Sequence, residues 1–503
     1  MQPKKPASAS SCRPLLYLYE LPRFYQWQHD NPLVRGEEYG VSLRWQRHAP
    51  FPGLPPSVRL YTSIVYGTGA ALYGRARLHP CRTRDPALAD LFFIPAFSGR
   101  LPAQRSICAE PLPKRLPQQR RGNCSTNVLF DRLDAVVANA ATGTSYLRRH
   151  HGIDHMLPSG HQGLGLMGAW PFFELHINDR RLGRTVRIMT EEDVPSIQNW
   201  PAKRRVPPSY KSVPWSSAVH VPATTPWSEL PWRQAHQRRV LIGGAFGFEG
   251  HSKVLTHPLR SALRRSCVAA PASTCTHINL RPQLTDKHAN RSLGTHATSQ
   301  IAALYFNSTF CLQPLGDGPT RAGIVDALLL GCIPVLFHPA QLAQWPRHWG
   351  GWARNATVLL DAERFKDPAP RKPASRETSP GGALPPPEDV VAVLAAISAE
   401  RVEGMRRTIR TFAHCMHYFD LHGLPAALRA PPPDGSHAKW SAVGDEPDAF
   451  DIAVRAMWTK ARARIAEGVA SSKLAAQLPP RLPPDTKHEH LCRPAPEDVE
   501  EAD

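Results

Sequence analysis

The sequence of 503 residues contains no long apolar run. Its longest apolar stretches, such as Ile324–Leu330 and Val390–Ile397, are far shorter than the roughly 20 residues that a membrane-spanning helix needs. Residues 1–13 are polar, and the apolar run Leu15–Tyr19 is too short for a signal peptide. We therefore expect neither a transmembrane helix nor a signal peptide within this sequence.

Three metal-binding patterns are also missing. No two aspartates are separated by a single residue, no His-Glu-x-x-His occurs, and no two cysteines are separated by two residues. The first pattern holds divalent cations and the other two bind zinc. We expect no bound metal and no cofactor.

Acidic residues are scarce relative to basic ones. The sequence has 42 acidic and 61 basic residues, which gives a net charge of +19. Such a surplus favours polyanions, anionic membrane surfaces or a phosphate-bearing ligand. The basic residues are dispersed, as at Arg180–Arg181 and Lys203–Arg205, and no basic–aromatic nucleic-acid motif accompanies them. We expect no specific nucleic-acid partner.

One segment carries most of the functional information. Residues 308–337 read STFCLQPLGDGPTRAGIVDALLLGCIPVLF, which predicts a strand at Ser308–Leu312, a helix at Thr320–Leu330 and a strand at Ile333–Phe337. This strand–loop–helix–strand unit is half of a nucleotide-binding α/β domain. Its loop leads to a helix N-terminus, where backbone N–H groups and the helix dipole favour a phosphate.

Polar residues of this unit are candidate ligand contacts. Gly316 and Thr320 lie in the loop, and Arg321 is placed to grip phosphate oxygens. Asp326 interrupts an apolar helix and needs a partner, for which a ribose hydroxyl is one candidate. In the alternative interpretation, Gly331 only ends the helix and Asp326 only pairs with a nearby base. A glycine-rich loop alone does not decide between the two.

Further blocks occur along the chain. In order they are LYLYELPRFY (Leu16–Tyr25), TRDPALADLFFIPAF (Thr83–Phe97), RHHGIDHM (Arg149–Met156), RVLIGGAFG (Arg239–Gly247) and LRSALRRSC (Leu259–Cys267). With FCLQPLGDGPTR and DALLLGCIPVLFHP, they resemble the exostosin-like glycosyltransferases of family 47, and most of all the plant xyloglucan galactosyltransferase branch. The resemblance covers roughly residues 15–420.

This resemblance implies an α/β fold of two Rossmann-like domains that face each other, the GT-B type, with a C-terminal helical extension. We expect a disordered lead at 1–12, an acceptor domain at 13–235 and a sugar-nucleotide domain at 236–420 that contains a mobile loop at 366–387. A helical extension at 421–470 and a disordered tail at 471–503 complete the chain.

The implied reaction is inverting transfer of a sugar from a UDP-sugar, galactose first, to a polysaccharide or glycoprotein glycan. Without Asp-x-Asp, the leaving diphosphate would be stabilised by helix dipoles and basic groups and not by a metal. We assign Arg321, Arg260 and the backbone near Gly316–Thr320 to the diphosphate and Asp326 to the ribose. The turn of Gly243, Gly244 and Gly247 would allow close backbone approach.

The general base is predicted at His155 and Asp154, because a neighbouring carboxylate can tune a histidine to neutral pH. Adjacent strand residues point to opposite sides, so the two should not face one ligand together. Packing of His155 beneath a loop is an alternative. The acidic cluster Glu191, Glu192 and Asp193, after a predicted strand at Val186–Met189, provides alternate bases. After Asp-His, the sequence MLPSGHQG replaces the Val-Ala-Gly-Arg run usual in the branch.

Cysteines and sequons bear on the compartment. Cys311 and Cys332 are predicted to be core thiols, whereas Cys108–Cys124 and Cys267–Cys275 are predicted bridges. Four N-glycosylation sequons, at Asn123, Asn290, Asn307 and Asn355, favour a secretory lumen. Family members are typically Golgi type II membrane proteins, so we expect the Golgi, with an anchor missing from this sequence or retention by other means.

A second functional hypothesis is an inactive exostosin-like protein that binds sugar nucleotides or glycans as the partner subunit of another glycosyltransferase. The intact GD–PTR–D block favours an active enzyme over this inactive protein, whereas the altered sequence after the Gly-Ile-Asp-His motif does not.

Overall fold

The computed structural model describes residues 14–21, 47–48, 50–61, 68–95, 130–158, 185–191, 210–247, 257–280, 293–316, 318–366, 387–420, 447–466 and 492. The predicted lead at 1–12 and the predicted Cys108–Cys124 bridge lie outside these residues. So do nearly all of the loop at 366–387 and of the tail at 471–503.

The described strands form two parallel sheets, a small antiparallel sheet and a hairpin. Their bounds are β1 Leu16–Leu18, β2 Arg47–His48, β3 Arg59–Tyr61, β4 Arg82–Thr83, β5 Leu91–Phe93, β6 Val137–Asn139, β7 Thr144–Ser145, β8 His155–Pro158, β9 Val186–Met189, β10 Tyr210–Ser212, β11 Val219–His220, β12 Val240–Ala245, β13 Cys275–Ile278, β14 Ser308–Gln313, β15 Ile333–Leu336 and β16 Val358–Leu359.

The described α-helices connect and cover these strands. They are α1 Thr68–Arg77, α2 Tyr146–Arg149, α3 His257–Ala269, α4 Leu293–Asn307, α5 Ala322–Leu329, α6 Pro339–Leu342, α7 Pro346–Trp349, α8 Ala353–Ala356, α9 Val390–Ala395, α10 Ala399–Phe412 and α11 Ala449–Ala466. Among the described helices, none combines the length and the hydropathy that crossing a bilayer requires.

Both parallel sheets have the doubly wound order of a Rossmann-like domain. The first sheet runs β10-β9-β8-β5-β1-β4, and the second runs β13-β12-β14-β15-β16, with every neighbouring pair parallel. In each, the second strand lies on one side of the first and the following strands lie on the other. The predicted α/β class with two Rossmann-like domains of the GT-B type is confirmed.

The strand–loop–helix–strand unit is present as β14, α5 and β15. Gly331 ends α5 with φ 67°, a left-handed conformation that favours glycine. Arg238 lies beside this glycine, and its guanidinium donates hydrogen bonds to the carbonyls of Tyr305 and Phe306 at the end of α4, of Ser308 at the start of β14 and of Leu330 after α5. One half-buried arginine therefore caps two helices.

One predicted helix is wrong over most of its length. The apolar spacing predicts a helix at 128–140, but residues 130–134 alone are helical within the described part, and β6 begins at Val137. The side chain of Asn139 accepts hydrogen bonds from the N–H groups of Ala141 and Thr142, and Gly143 has φ 63°. This turn chemistry favours a β-hairpin and overrides the helical period.

The hydrophobic cores do not follow a single boundary at residue 235. Residues of 54–60 and 215–232, such as Leu60 and Trp232, pack in the core of the second sheet. The C-terminal helix α11 returns to the first sheet, where Phe450 and Val454 pack with Leu16 and Ile188.

A buried ionic network fixes α11 to the first domain. Arg75 of α1 binds Asp448 (2.7 Å) and Asp451 (3.3 Å), and His79 lies 3.3 Å from Asp451. All four side chains are buried, so these ion pairs are shielded from solvent.

The disulfides partly match the prediction. Cys267 and Cys275 are bonded, as predicted, and Cys415 is bonded to Cys492. Cys311 and Cys332 are also bonded to each other, so their prediction as core thiols is wrong. Adjacent parallel strands bring Phe310 opposite Ile333, which places the two cysteines 6.0 Å apart at their Cα atoms, within bonding range.

Candidate active site

The topology places a ligand-binding crevice at the carboxyl edge of each sheet. In open α/β sheets, ligands bind where the strand order reverses, outside the carboxyl ends of the strands. In the second sheet the reversal lies between β12 and β14, which end at Ala245 and Gln313. The predicted phosphate loop directly follows β14 and therefore lies at this switch point.

Two arginines that are predicted to bind phosphate connect the loops at this point. Arg321 donates hydrogen bonds to the carbonyls of Pro314 (2.7 Å) and Ala245 (3.2 Å). Arg260 donates to the carbonyls of Leu315 (2.6 Å) and Gly247 (2.9 Å). Arg321 thus joins the end of β12, and Arg260 the loop after β12, to the loop after β14, and two cationic groups lie in the wall of the crevice. Their contact with a phosphate stays a prediction.

Two buried polar atoms near the first turn of α5 lack a partner among the described residues. They are Oγ1 of Thr320 and Oε1 of Gln313, and both side chains are buried. Buried polar atoms are nearly always hydrogen-bonded, so these atoms are suited to a ligand at the first turn of α5. Gly316 lies at the rim, where its N–H donates to the carbonyl of Gly318 (3.2 Å).

The glycines of the second domain's first strand have a packing role. Gly243 and Gly244 lie inside β12, not in a turn. A Cβ at Gly243 would lie 2.5 Å from Oγ of Ser308, and one at Gly244 would lie 3.0 Å from the Phe246 ring. The prediction that Gly244 admits a ligand to the backbone is therefore wrong, because the space is filled by the protein's own side chains.

Asp326 has its partners inside the protein. Its Oδ1 accepts hydrogen bonds from the Ser217 hydroxyl (2.5 Å) and the Ala218 N–H (3.0 Å). Burial raises the pKa of this carboxyl group to about 6, although both hydrogen bonds oppose the rise. The carboxylate thus holds the segment after Trp215 against α5 through Oδ1, and contact of Asp326 with a ribose stays a prediction.

His155 and Asp154 lie at the wrong edge of the first sheet for catalysis. His155 is the first residue of β8, pairs with Phe92 in the middle of β5, and has 0% exposure. Its Nδ1 is 2.7 Å from Asp154 Oδ1, and its Nε2 is 2.9 Å from the Tyr19 hydroxyl. Both ring nitrogens are thus occupied in the core, and the prediction of His155 as an accessible base is wrong.

Asp154 completes this buried chain of hydrogen bonds. Because it precedes the strand, its side chain can turn back to its neighbour His155. Burial alone would raise the pKa of Asp154, but the charge and hydrogen bond of His155, together with Arg149, hold it below its ordinary value. The chain orders the sheet; it does not face the crevice.

Glu191 lies at the correct edge. It follows the end of β9 by two residues and is buried. Its carboxylate lies so close to Gly318 that a methyl group at this glycine would collide with Oε1. A carboxylate of the first domain therefore lies against the predicted phosphate loop of the second domain. Of the three alternate bases, Glu192 and Asp193 lie outside the described residues.

The sequence profile of the Exostosin GT47 domain matches residues 15–352. The chain belongs to the exostosin GT47 family. The match includes both sides of the crevice, since Glu191 and the loop after β14 lie within it.

Curated relatives of this exostosin GT47 chain come from Arabidopsis thaliana. It is 28% identical over 295 residues to "Probable xyloglucan galactosyltransferase GT17", covering 58% of this chain and 56% of the relative. It is 25% identical over 390 residues to "Probable xyloglucan galactosyltransferase GT14", covering 73% and 66%. It is 25% identical over 306 residues to "Xyloglucan-specific galacturonosyltransferase 1", covering 60% and 40%. The chain thus spans 40–66% of the length of these relatives.

Among solved structures, the exostosin GT47 chain is similar to WaaG, a glycosyltransferase involved in lipopolysaccharide biosynthesis. The identity is 11%, the TM-score is 0.29, and the similarity covers 76% of this chain and 96% of that chain. Our description of the fold rests on the two sheets themselves.

The position of Glu191 follows from a signal in the sequence. Three acidic residues come directly after a predicted buried strand, and the carboxyl ends of parallel strands form the ligand-binding edge. His155 instead opens its strand. A residue after the carboxyl end of a parallel strand lies nearer the ligand-binding edge than a residue at the start of a strand, and this rule favours Glu191 over His155 as the base.

Proposed function

We propose that this chain is an inverting glycosyltransferase that transfers a sugar from a UDP-sugar to a polysaccharide or glycan acceptor. Family membership and the names of the relatives support the class of reaction. The observation that carries the proposal is the position of Glu191, whose carboxylate lies against Gly318 at the mouth of the phosphate loop. A base on one domain thus faces a nucleotide loop on the other.

The proposed reaction is a single in-line displacement. The acceptor hydroxyl oxygen bonds to the anomeric carbon while its proton passes to the Glu191 carboxylate. The bond from the anomeric carbon to the diphosphate oxygen breaks on the opposite face, and UDP leaves with the electron pair. The configuration at the anomeric carbon is therefore inverted.

Charge on the leaving diphosphate would be stabilised by the protein. The N-terminus of α5 presents backbone N–H groups, and the Thr320 hydroxyl is available beside them. Arg321 and Arg260 add two positive charges in the loop walls. These groups support a reaction that is independent of a metal ion.

Galactose is the first candidate sugar, because two of the relatives named above are described as probable xyloglucan galactosyltransferases. Galacturonic acid is the second, because another relative is described as a xyloglucan-specific galacturonosyltransferase. The proposed acceptor is accordingly a xyloglucan-like polysaccharide. The described disulfides support an oxidising compartment such as the Golgi lumen.

The test is transfer from UDP-galactose or UDP-galacturonate to xyloglucan oligosaccharides, with and without a chelator. We expect Glu191→Gln to lower kcat by about 100- to 10,000-fold while the thermal shift caused by UDP is retained. Glu229→Gln, at an exposed glutamate of a 3-10 helix, removes the same charge and should leave kcat unchanged.

Two outcomes would contradict the proposal. Full activity in Glu191→Gln would exclude this residue as the base. UDP binding without turnover of either donor by the unmodified protein would instead favour a sugar-nucleotide-binding partner subunit.

A further inference from the structure

Trp345 has an unusual backbone conformation at the contact between the two domains. It has φ 48° and ψ 49° and comes directly before Pro346, the first residue of α7. Residues other than glycine rarely adopt this left-handed conformation, and a residue before proline normally prefers an extended one. Such a conformation persists only where the surrounding structure imposes it, and these positions concentrate at functional sites.

The contacts of Trp345 show what imposes the conformation. Its ring is completely buried in the core of the second domain, 5.3 Å from the ring of Trp349. Its indole N–H donates a hydrogen bond to the carbonyl of Thr190 (2.8 Å), and its backbone N–H donates to the hydroxyl of Ser212 (3.1 Å).

These two acceptors belong to neighbouring strands of the first domain. Ser212 is the last residue of β10 and pairs with Met189, the last residue of β9. Thr190 follows Met189 and directly precedes Glu191. One tryptophan of the second domain therefore holds the carboxyl ends of two strands of the first domain, beside the proposed base.

We propose that Trp345 is a positioning residue for Glu191. By fixing the Thr190 carbonyl, it sets the position of the Glu191 carboxylate relative to Gly318 and the phosphate loop. This inference rests on the proposed function. A general base must lie within hydrogen-bond reach of the proton it removes, and small displacements of a reacting group are costly.

Other hydrogen bonds near this contact are less suited to this role. The Tyr418 hydroxyl donates to the carbonyl of Pro214, and the Ser217 hydroxyl donates to Asp326. These contacts hold the segment after β10. Trp345 alone, among the described hydrogen bonds, reaches the residue that precedes Glu191.

The test compares two tryptophan-to-phenylalanine variants in the full chain. Trp345→Phe keeps a buried aromatic ring and removes the N–H that binds Thr190. Trp352→Phe is the matched control, because the Trp352 N–H donates to the carbonyl of His348 (2.9 Å) and its ring stacks on Phe412, all within the second domain.

Two readouts separate positioning from general destabilisation. The first is hydrogen exchange in peptides that cover residues 186–191, which needs no activity. We expect faster exchange there in Trp345→Phe and no change in Trp352→Phe. The second is steady-state kinetics, in which we expect Trp345→Phe to lower kcat by about 10- to 100-fold with little change in the KM for the donor.

Equal melting temperatures, exchange and kcat in the two variants would overturn the positioning role. Faster exchange at 186–191 without loss of kcat would also overturn it, because the strand end would then be held without consequence for catalysis. If Glu191→Gln is fully active, the base assignment fails instead, and the exchange data still decide whether Trp345 fixes this strand end.

Discussion

Replacing Asp326 with Asn should stabilise the protein at neutral pH, although it removes a charge that accepts two hydrogen bonds. The carboxylate is held in the interior by the Ser217 hydroxyl and the Ala218 N–H, both of which bind Oδ1. An Asn side chain can accept the same two bonds through its own Oδ1 and cannot ionise.

The magnitude follows from the pKa of Asp326. Burial raises this pKa from the ordinary 3.8 to about 6, so the folded state binds the proton more tightly than the unfolded chain. The associated stability is fully present below pH 3.8 and is lost as the pH rises through about 6. The two values correspond to about 3 kcal/mol, an upper figure because the side chain keeps part of its surface exposed.

The assay is denaturant unfolding at several pH values between about 4 and 7.5. We expect the free energy of unfolding of Asp326→Asn, relative to the unmodified protein, to rise with pH across this range. Asp389→Asn is the control, since Asp389 is an exposed helix N-cap and the substitution removes the same charge. If the difference in the free energy of unfolding between Asp326→Asn and the unmodified protein did not change with pH, the reasoning would be refuted.

Three further predictions concern capping, the disulfide and glycosylation. Arg238→Met should lower the free energy of unfolding by about 3 kcal/mol, because the carbonyls that end α4 and α5 lose a charged donor; denaturant unfolding measures this. Replacing Cys311 and Cys332 with Ser should cost about 3 kcal/mol, given their separation of 21 residues, as measured by calorimetry. Asn355→Gln should remove one glycan after secretory expression, since Asn355 is exposed; gel mobility before and after deglycosylation reports this.

Each of these predictions has a matched comparison. Arg239 is an exposed neighbour of Arg238, and Arg239→Met should be nearly neutral; similar losses in both would argue against capping. For the disulfide, a reductant should destabilise the unmodified protein more than the double variant, and equal effects would contradict the prediction. Asn307 is half-buried and its amide donates to the carbonyl of Ala303, so glycan loss in Asn307→Gln would contradict our use of exposure.

The sequence predicts most where structure is set by neighbouring residues. The unit β14–α5–β15 is recognisable because its strands, loop and helix are contiguous and its turn is punctuated by Gly331. Helix α10, capped by Ser398, is predictable for the same reason. The exception is the predicted helix at 128–140, where an apolar spacing compatible with a helix competes with a turn that runs from Asn139 to Gly143, and the turn prevails.

The site depends on contacts between distant residues, which one sequence does not reveal. Asp326 is 109 residues from Ser217, its partner, so its need for a partner could be predicted but not the partner itself. Histidine is a residue type expected of a general base, but the register of β8 places His155 in the core. Glu191 became the better candidate when the fold brought it against Gly318.

The return of α11 to the first sheet has a consequence for synthesis of the chain. Leu16, Leu91 and Ile188 share their core with residues of α1 and α11, so this face of the sheet stays only partly covered until Ala466 has left the ribosome. Most of the core of the second domain lies between these parts, although Ile452 and Cys492 also belong to it. At about 5–20 residues per second, the interval from residue 236 to residue 466 lasts about 10–50 s. The first domain therefore begins first but cannot complete its core before the end of this interval, and until then its incompletely covered apolar sheet is open to aggregation.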